Sequence, residues 1–178
     1  MNEGERQLFW QNDGKFRFLK WQFDAVQSDE YIQISELRFI DQDANIFQWP
    51  FEDLCCIDHS THLGISNTGQ WYGKGQHNEC AESLLDCKVD TKFCCNHHHQ
   101  VPFFITFDLG SQCLDLKTFN RYQWYTANDD TSFANRSPTS WQLFISNDSS
   151  KWDLLDKVEN FTAPVANFTL AYTSGRIA

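Results

Sequence analysis

The sequence predicts an all-β protein built as an antiparallel β-sandwich, and three observations lead to this class. Apolar residues recur with a period of two, rather than 3.6, along most of the regular segments. Segments rich in turn-forming residues separate them, for example "TANDDTSFANRSPTS". Aromatic residues make up 16% of the chain, with sixteen Phe and seven Trp, which is enough to fill a large core.

Four segments with this alternation predict half-buried strands in order along the chain. The first is "KFRFLKWQF", followed by "PFFITFDLG", "SWQLFIS" and, near the C-terminal end, "ANFTLAYT". Each places every second residue on one face, which we expect to point into the core. The residues expected on these inner faces are Leu19, Trp21, Phe23, Phe103, Ile105, Phe107, Leu109, Trp141, Leu143, Ile145, Phe168, Leu170 and Tyr172.

A fifth segment, "YIQISELRFI", changes face in its middle. Ile32 and Ile34 share one face, whereas the apolar residues from Leu37 onward occupy the other. The change at Ser35 and Glu36 predicts a bulge or a strand that leaves one sheet. Two interpretations of Glu36 stay open at this point: a surface carboxylate at a kink, or a functional group held at the break.

Length and charge limit the classes of function. A chain of 178 residues predicts a single domain over residues 1–178, with 1–15 as a candidate extension. The net charge is −10 and no cluster of Lys and Arg lies on a candidate strand, so we expect no nucleic-acid partner. No segment has the apolar length of a membrane span. The first residues lack the features of a signal peptide, which predicts an intracellular or organellar protein, or an extracellular one if a leader has been removed.

Four motifs between Glu82 and Asp156 follow one another in an informative order: "ESLLDCKVDTKFCC", "FFITFDLG", "NRYQWYTANDD" and "RSPTSWQLFISNDSSKWDLLD". Together they resemble the discoidin, or coagulation factor type C, domain. The resemblance implies a jelly-roll sandwich of the galactose-binding-like type, which includes many carbohydrate-binding modules. The stretch "FRFLKWQFDAVQSDEYIQISELRFID" is similar to the segment that closes such domains. We therefore expect the closing strands to come first in this chain.

The resemblance also implies a structural calcium ion, because an acidic turn in this family commonly wraps one. Its side-chain ligands would be Asp86, Thr91 and Glu36, joined by backbone carbonyls, and calcium takes about six to eight oxygen ligands. Two positions depart from the family pattern: Cys87 replaces a glycine, and Lys88 stands where an acidic residue is common. The alternative is a similar turn held by hydrogen bonds from Asp86 and Thr91 to backbone amides.

The run "CCNHHH" at residues 94–99 raises two other chemistries. Structural zinc prefers ligands about two to four residues apart, and adjacent cysteines usually diverge, so we expect buried or disulfide-linked cysteine instead. The chain holds seven cysteines, so at least one cannot pair within it. A thiol hydrolase needs a Cys, a positioned His and an orienting acid or amide, and nothing marks an oxyanion hole. We expect no enzymatic activity.

The favoured function is a non-catalytic module that binds a glycan or another cell-surface ligand through loops at one end of the sandwich. Sugar sites combine an aromatic platform with polar groups, because CH faces stack on rings and hydroxyls need hydrogen-bond partners. The candidate ligand-binding residues are Trp71, Tyr72, His97, His98 and Asn128. Arg136 matches the arginine of the family's Arg-x-Pro motif and is expected to brace a loop by pairing with a carboxylate. The alternative is a structural or accessory subunit that uses the sandwich as a protein-protein interface in a larger complex.

Overall fold

The computed structural model describes residues 14–27, 30–48, 55–60, 79 and 81–177. These residues form twelve strands and three single-turn 3-10 helices, at Ala81–Leu84, Gly110–Gln112 and Ala134–Arg136. The strands are β1 (Lys15–Phe16), β2 (Phe18–Val26), β3 (Tyr31–Ile34), β4 (Glu36–Ile40), β5 (Cys55–His59), β6 (Phe93–Asn96), β7 (Phe103–Asp108), β8 (Leu114–Asp115), β9 (Arg121–Tyr125), β10 (Pro138–Ser146), β11 (Asp153–Val158) and β12 (Leu170–Thr173). Within the described ranges no helix is long and apolar enough to cross a membrane.

The largest sheet has five strands in the order β11-β10-β2-β7-β5, and every neighbouring pair is antiparallel. Its central strand is β2, where Trp21 lies opposite Leu143 of β10 and Ile105 of β7. Period-two alternation places these three side chains on one face, where all are fully buried. The predicted core residues of the first three alternating segments are therefore confirmed.

A three-stranded antiparallel sheet, in the order β12-β9-β4, packs against the inner face of the five-stranded sheet. Trp124 of β9 and Trp141 of β10 meet edge to face, with ring centroids 5.8 Å apart. Two short ribbons, β3-β6 and β1-β8, complete the sheets of the described residues. The architecture is thus all-β and sandwich-like, as the sequence predicts.

The change of face at Ser35 is a change of sheet. β3 ends at Ile34 and pairs with β6, whereas β4 begins at Glu36 and pairs with β9. Between them the Ser35 hydroxyl is directed at the carbonyl oxygens of Val89 and Thr91, the second at 3.0 Å. Of the two predicted outcomes, a bulge or a strand that leaves one sheet, the structure shows the second.

The prediction for the C-terminal segment is wrong in part. The strand begins only at Leu170, which is 42% exposed, and Phe168 precedes it with 43% exposure. Phe168 has a φ of 51°, and this left-handed conformation ends the alternation before the strand begins. β12 is also an edge strand, so its side chains contact fewer neighbours than those of a central strand.

A hydrogen-bonded chain of polar groups connects the two sheets inside the core. The indole nitrogen of Trp141 donates to the hydroxyl of Tyr122 at 2.9 Å, and that hydroxyl donates to Asp156 Oδ2 at 2.7 Å. We expect Tyr122→Phe to lower the free energy of unfolding by about 1–3 kcal/mol, because it leaves the buried indole N–H without an acceptor. Urea denaturation would measure the change.

Tyr125→Phe is the matched control for this substitution. The Tyr125 hydroxyl makes one long hydrogen bond, 3.3 Å to Gln123 on the same strand, and its side chain is partly exposed. Its removal should change the unfolding free energy by less than about 0.5 kcal/mol. Equal losses in the two variants would contradict a special role for the buried chain.

Candidate functional site

Three loops lie at one end of the sandwich, which we call the loop end: residues 97–102, 126–137 and 159–169. They follow β6, β9 and β11 respectively. The strand registers place them together, because Val26 at the end of β2 pairs with Pro138 and Phe23 pairs with Phe103. Trp141, near the start of β10, pairs with Val158 at the end of β11.

Hydrogen bonds join the second and third of these loops. The backbone N–H of Thr131 donates to Asn167 Oδ1 at 2.8 Å, and that of Phe168 donates to the Ala127 carbonyl at 3.2 Å. The backbone N–H of Thr126 donates to the Thr169 carbonyl at 2.9 Å. Both loops are therefore held in one arrangement, as a preformed binding surface requires.

Polar contacts also fix the 126–137 loop to the β3-β6 ribbon. The Gln33 amide nitrogen donates to Asp130 Oδ1 at 3.1 Å, where both residues are fully buried. The Lys92 ammonium lies 2.8 Å from Asp129 and 3.3 Å from Glu79. These interactions offset the cost of burying a lysine side chain at this junction.

The predicted ligand-binding residues fall into three groups. His98 and Asn128 are exposed on the loop end, as a ligand-binding role requires. His97 is only 2% exposed, and its ring stacks on Phe103 with centroids 5.1 Å apart, so it packs against the core. Trp71 and Tyr72 lie outside the described residues.

The loop end carries an apolar rim that the sequence patterns did not indicate. Among the described residues, the large apolar side chains that are exposed are Val101, Phe133, Val165, Phe168 and Leu170. Four of them belong to the three loops, and the fifth is the first residue of β12, directly after the third loop. Period-two alternation predicts that Phe168 and Leu170 are core residues. No sequence pattern around Phe133 indicates its exposure, because the exposure of a loop residue depends on which other loops lie beside it.

Arg136 connects the 126–137 loop to β3 through aromatic rings. Its guanidinium carbon lies 3.9 Å from the Phe133 ring centroid and 4.7 Å from that of Tyr31. Cation-π contacts at such distances contribute about 0.5–1 kcal/mol at exposed sites, and more where water is excluded. These contacts are with rings, and the predicted pairing of Arg136 with a carboxylate stays a prediction.

Glu36 is fully buried, so its interpretation as a surface carboxylate is wrong. Neither of its carboxyl oxygens makes a hydrogen bond of normal geometry. Burial, followed by the negative charge of Asp86, raises the pKa of Glu36 to about 9. Arg38 and the backbone amides of Cys87 and Lys88 lower the pKa, but by less than burial raises it.

Asp86 and Thr91 form the turn that faces Glu36. Asp86 Oδ1 accepts a hydrogen bond from the backbone N–H of Lys88 at 2.9 Å, and the Thr91 hydroxyl lies 2.9 Å from Asp86 Oδ2. The same hydroxyl is 2.9 Å from the Lys88 carbonyl, and it can donate to one acceptor at a time. Cys87 has a φ of 62°, a left-handed conformation that glycine adopts without strain.

The chemical type of these groups suits a calcium ion. Two carboxylates, one hydroxyl and nearby carbonyl oxygens are hard oxygen ligands, and the buried Glu36 oxygens have only the poorly aligned backbone amides of Cys87 and Lys88 as hydrogen-bonding neighbours. No group of three or more His, Cys, Asp or Glu side chains in the described part of the chain is placed to hold a metal ion. A cation at the turn would therefore depend on backbone carbonyls as well as on Glu36 and Asp86.

The adjacent cysteines of β6 point to opposite faces of the strand, as expected for neighbouring residues. Cys95 is buried, whereas Cys94 is partly exposed. Burial raises the pKa of the Cys94 thiol to about 11, so the thiol is protonated at neutral pH. A protonated thiol is a poor nucleophile and a poor zinc ligand.

No protein-family model and no curated protein sequence matches the chain. The resemblance to the discoidin domain accordingly stays a prediction, and the candidate sites depend on the geometry of their own residues.

The buried carboxyl group predicts a specific pH dependence. Without a metal ion, Glu36 stays protonated in the folded state up to its pKa of about 9, whereas in the unfolded chain it ionises near its usual value of 4.5. The folded state thus binds more protons between these values, so the unfolding free energy should fall as pH rises. The decline is at most about 1.4 kcal/mol per pH unit for one group.

Chemical denaturation between pH 5 and pH 8.5 in the presence of EDTA would measure this decline. Glu36→Gln should flatten the profile, because the amide keeps the shape of the protonated carboxyl and does not titrate. Glu30→Gln, at a partly exposed glutamate, should retain the wild-type slope. Identical slopes for wild type and Glu36→Gln would contradict the assignment.

Proposed function

We propose that this protein is a non-catalytic glycan-binding module of the discoidin type, with a jelly-roll arrangement of its strands, and that its ligand binds at the loop end. The observation that carries the proposal is the concentration of exposed apolar residues there. Within the described residues, large apolar side chains are exposed only on these loops and on the strand residue directly after them. Exposed apolar side chains that are grouped at one place, rather than scattered, are typical of a binding surface.

The composition of the loop end suits a sugar. Phe168 offers a ring on which the CH groups of a pyranose can stack, and Phe133 offers the ring face that the Arg136 guanidinium does not cover. Asn128 and His98 are exposed on the same end and can exchange hydrogen bonds with hydroxyl groups. Because hydrogen bonds already hold the loops together, binding would require little ordering of the chain.

A second candidate function is favoured by the aliphatic part of the same rim. Val101, Val165 and Leu170 offer no ring for stacking, and exposed aliphatic groups suit a protein interface. An accessory subunit of a larger assembly would cover this rim with a partner, and a stable interface buries about 800 Å² on each side. The fold is the same in both proposals, and only the binding partner differs: a protein in place of a glycan.

We further propose that Glu36, Asp86 and Thr91 hold a structural calcium ion together with carbonyl oxygens of the 86–91 turn. Support comes from Glu36, which is buried without a hydrogen bond of normal geometry, an unfavourable environment for a carboxylate. A divalent cation would favour the ionised form of both carboxyl groups and would join the turn to β4. The ion would have a structural role, since it would hold the buried carboxyl group of Glu36 against the turn.

A glycan array with the purified chain, in the presence and absence of EDTA, tests the glycan-binding proposal. Phe133→Ala and Phe168→Ala should each weaken binding to the best glycan by about five- to tenfold, because each removes a stacking surface. Val165→Ala and Leu170→Ala are matched controls on the same rim and should leave glycan binding unchanged.

The controls also separate the two candidate functions. If the chain binds no glycan at millimolar concentration and copurifies in stoichiometric amounts with a larger complex, the accessory-subunit function replaces the glycan module. In that case Val165→Ala and Leu170→Ala should weaken the complex. Unchanged glycan binding by both phenylalanine variants would contradict a site at the loop end.

Calcium titration of EDTA-treated protein tests the metal proposal. A ligand that binds only the folded state stabilises it by about 2.7 kcal/mol at one hundred times its Kd, so the melting temperature should rise. Asp86→Asn should abolish the rise, whereas Asp90→Asn, at an exposed neighbour in the same turn, should preserve it. A wild-type melting temperature that does not respond to calcium would favour the hydrogen-bonded turn.

A further inference from the structure

The outer face of the five-stranded sheet carries an unusual group of side chains around Lys20. Residues 18, 20 and 22 of β2 alternate with the buried core positions, so their side chains point away from the core. Across the sheet Lys20 pairs with Phe144 of β10 and with Thr106 of β7. Trp152, at the end of the hairpin that joins β10 to β11, lies over the same place.

Aromatic rings surround the Lys20 ammonium. Its nitrogen lies 4.0 Å from the Trp152 ring centroid, 5.4 Å from that of Phe104 and 5.9 Å from that of Phe144. No carboxylate in the described residues lies within ion-pair distance of it, and the acid that acts on it electrostatically is the exposed Asp58. Burial lowers the pKa of Lys20 and Asp58 raises it, so this cation is partly desolvated without a direct anionic partner.

A row of polar side chains lies on the same face of the sheet as the rings, two residues further along β2. Gln22 pairs with Gln142, and both amide nitrogens donate to the same Asp24 carboxylate, at 2.7 Å and 2.8 Å. Because Asp24 orients both amides, their oxygens remain as acceptors for other groups. In the row of Lys20, Thr106 is 2% exposed, and its hydroxyl makes no hydrogen bond.

The geometry points to a second binding site on this sheet face, for a carboxylate-bearing sugar of the uronic acid class. The sugar carboxylate would pair with the Lys20 ammonium, and its apolar CH face would stack on Trp152 or Phe104. Its hydroxyls would donate to the amide oxygens of Gln22 and Gln142. The ligand would supply an anion in direct contact with Lys20; within the described residues the acid that acts on Lys20 is Asp58, which pairs with Thr106 from β5.

Charge complementarity distinguishes this ligand from a neutral sugar. A neutral sugar could stack on the rings, but it would leave the partly desolvated ammonium without a counter-charge in direct contact. The net charge of −10 repels an anion at long range, yet salt at physiological strength screens charges beyond about 8 Å. At contact distance the Lys20 ammonium attracts the sugar carboxylate, and this attraction has to exceed the repulsion from Asp58 in the same row of the sheet. The site is separate from the loop end and does not depend on binding there.

Isothermal titration calorimetry of the full chain with two disaccharides tests the inference: one contains glucuronic acid, and the other has glucose in its place with the same linkage. We expect the acidic disaccharide to bind at least about tenfold more tightly, because charged hydrogen bonds are the stronger ones. Lys20→Met should abolish this preference while keeping the apolar stem, and Lys20→Arg should retain it. Lys15→Met, at an exposed lysine of β1, is the matched control and should behave as wild type.

Two further variants distinguish the sheet face from the loop end. Trp152→Ala should weaken binding of the acidic disaccharide, and Phe168→Ala should leave it unchanged. Equal affinity of the wild type for both disaccharides, or a preference that survives in Lys20→Met, would overturn the inference. A preference lost only in Phe168→Ala would also overturn it while supporting the loop end as the glycan site. A third outcome concerns the loop end. If the wild type binds the acidic disaccharide as expected, but the loop-end variants leave binding on the glycan array unchanged, only the loop-end proposal is contradicted.

Discussion

The packing of β9 against β10 is the interaction on which the rest of the structure depends. These strands are consecutive in the chain but belong to different sheets, and Trp124, Tyr122 and Trp141 form the contact between them. Because the loop of residues 126–137 joins the two strands, the separation of the sheets sets the span of that loop. This loop carries Asn128. The position of Asn128 therefore depends on how the two sheets pack, and not on the conformational preferences of the loop sequence.

Glu36 imposes a second constraint at the place where the chain passes from the β3-β6 ribbon to the three-stranded sheet. A carboxyl group at such a crossing has no room to reach water, so it is protonated or neutralised by a cation. Asp86 lies close enough to disfavour two negative charges together. The ionisation of Glu36 therefore depends on the register of β4 and on the geometry of the 86–91 turn.

Both proposed ligand sites combine rings with fixed polar groups, but their physics differs. At the loop end the rings are the exposed elements, and the charges of Lys92 and Asp129 are paired with each other. On the sheet face the rings enclose an ammonium that makes no ion pair among the described residues. The first arrangement favours shape and stacking, whereas the second favours a particular charge.

The sequence by itself determined the all-β class, the core positions of the first three alternating segments and the place, at Ser35, where either a bulge or a change of sheet occurs. Each follows from period-two alternation, which depends only on neighbours along the chain. The tertiary structure decided the rest: that His97 packs on Phe103, that Phe168 is exposed and that Glu36 is buried. Exposure and pKa depend on which distant segments meet, since the solvent around a side chain is displaced by residues far from it in the sequence. Lys20 illustrates this reason, because the rings around it come from β7, from β10 and from the hairpin after β10.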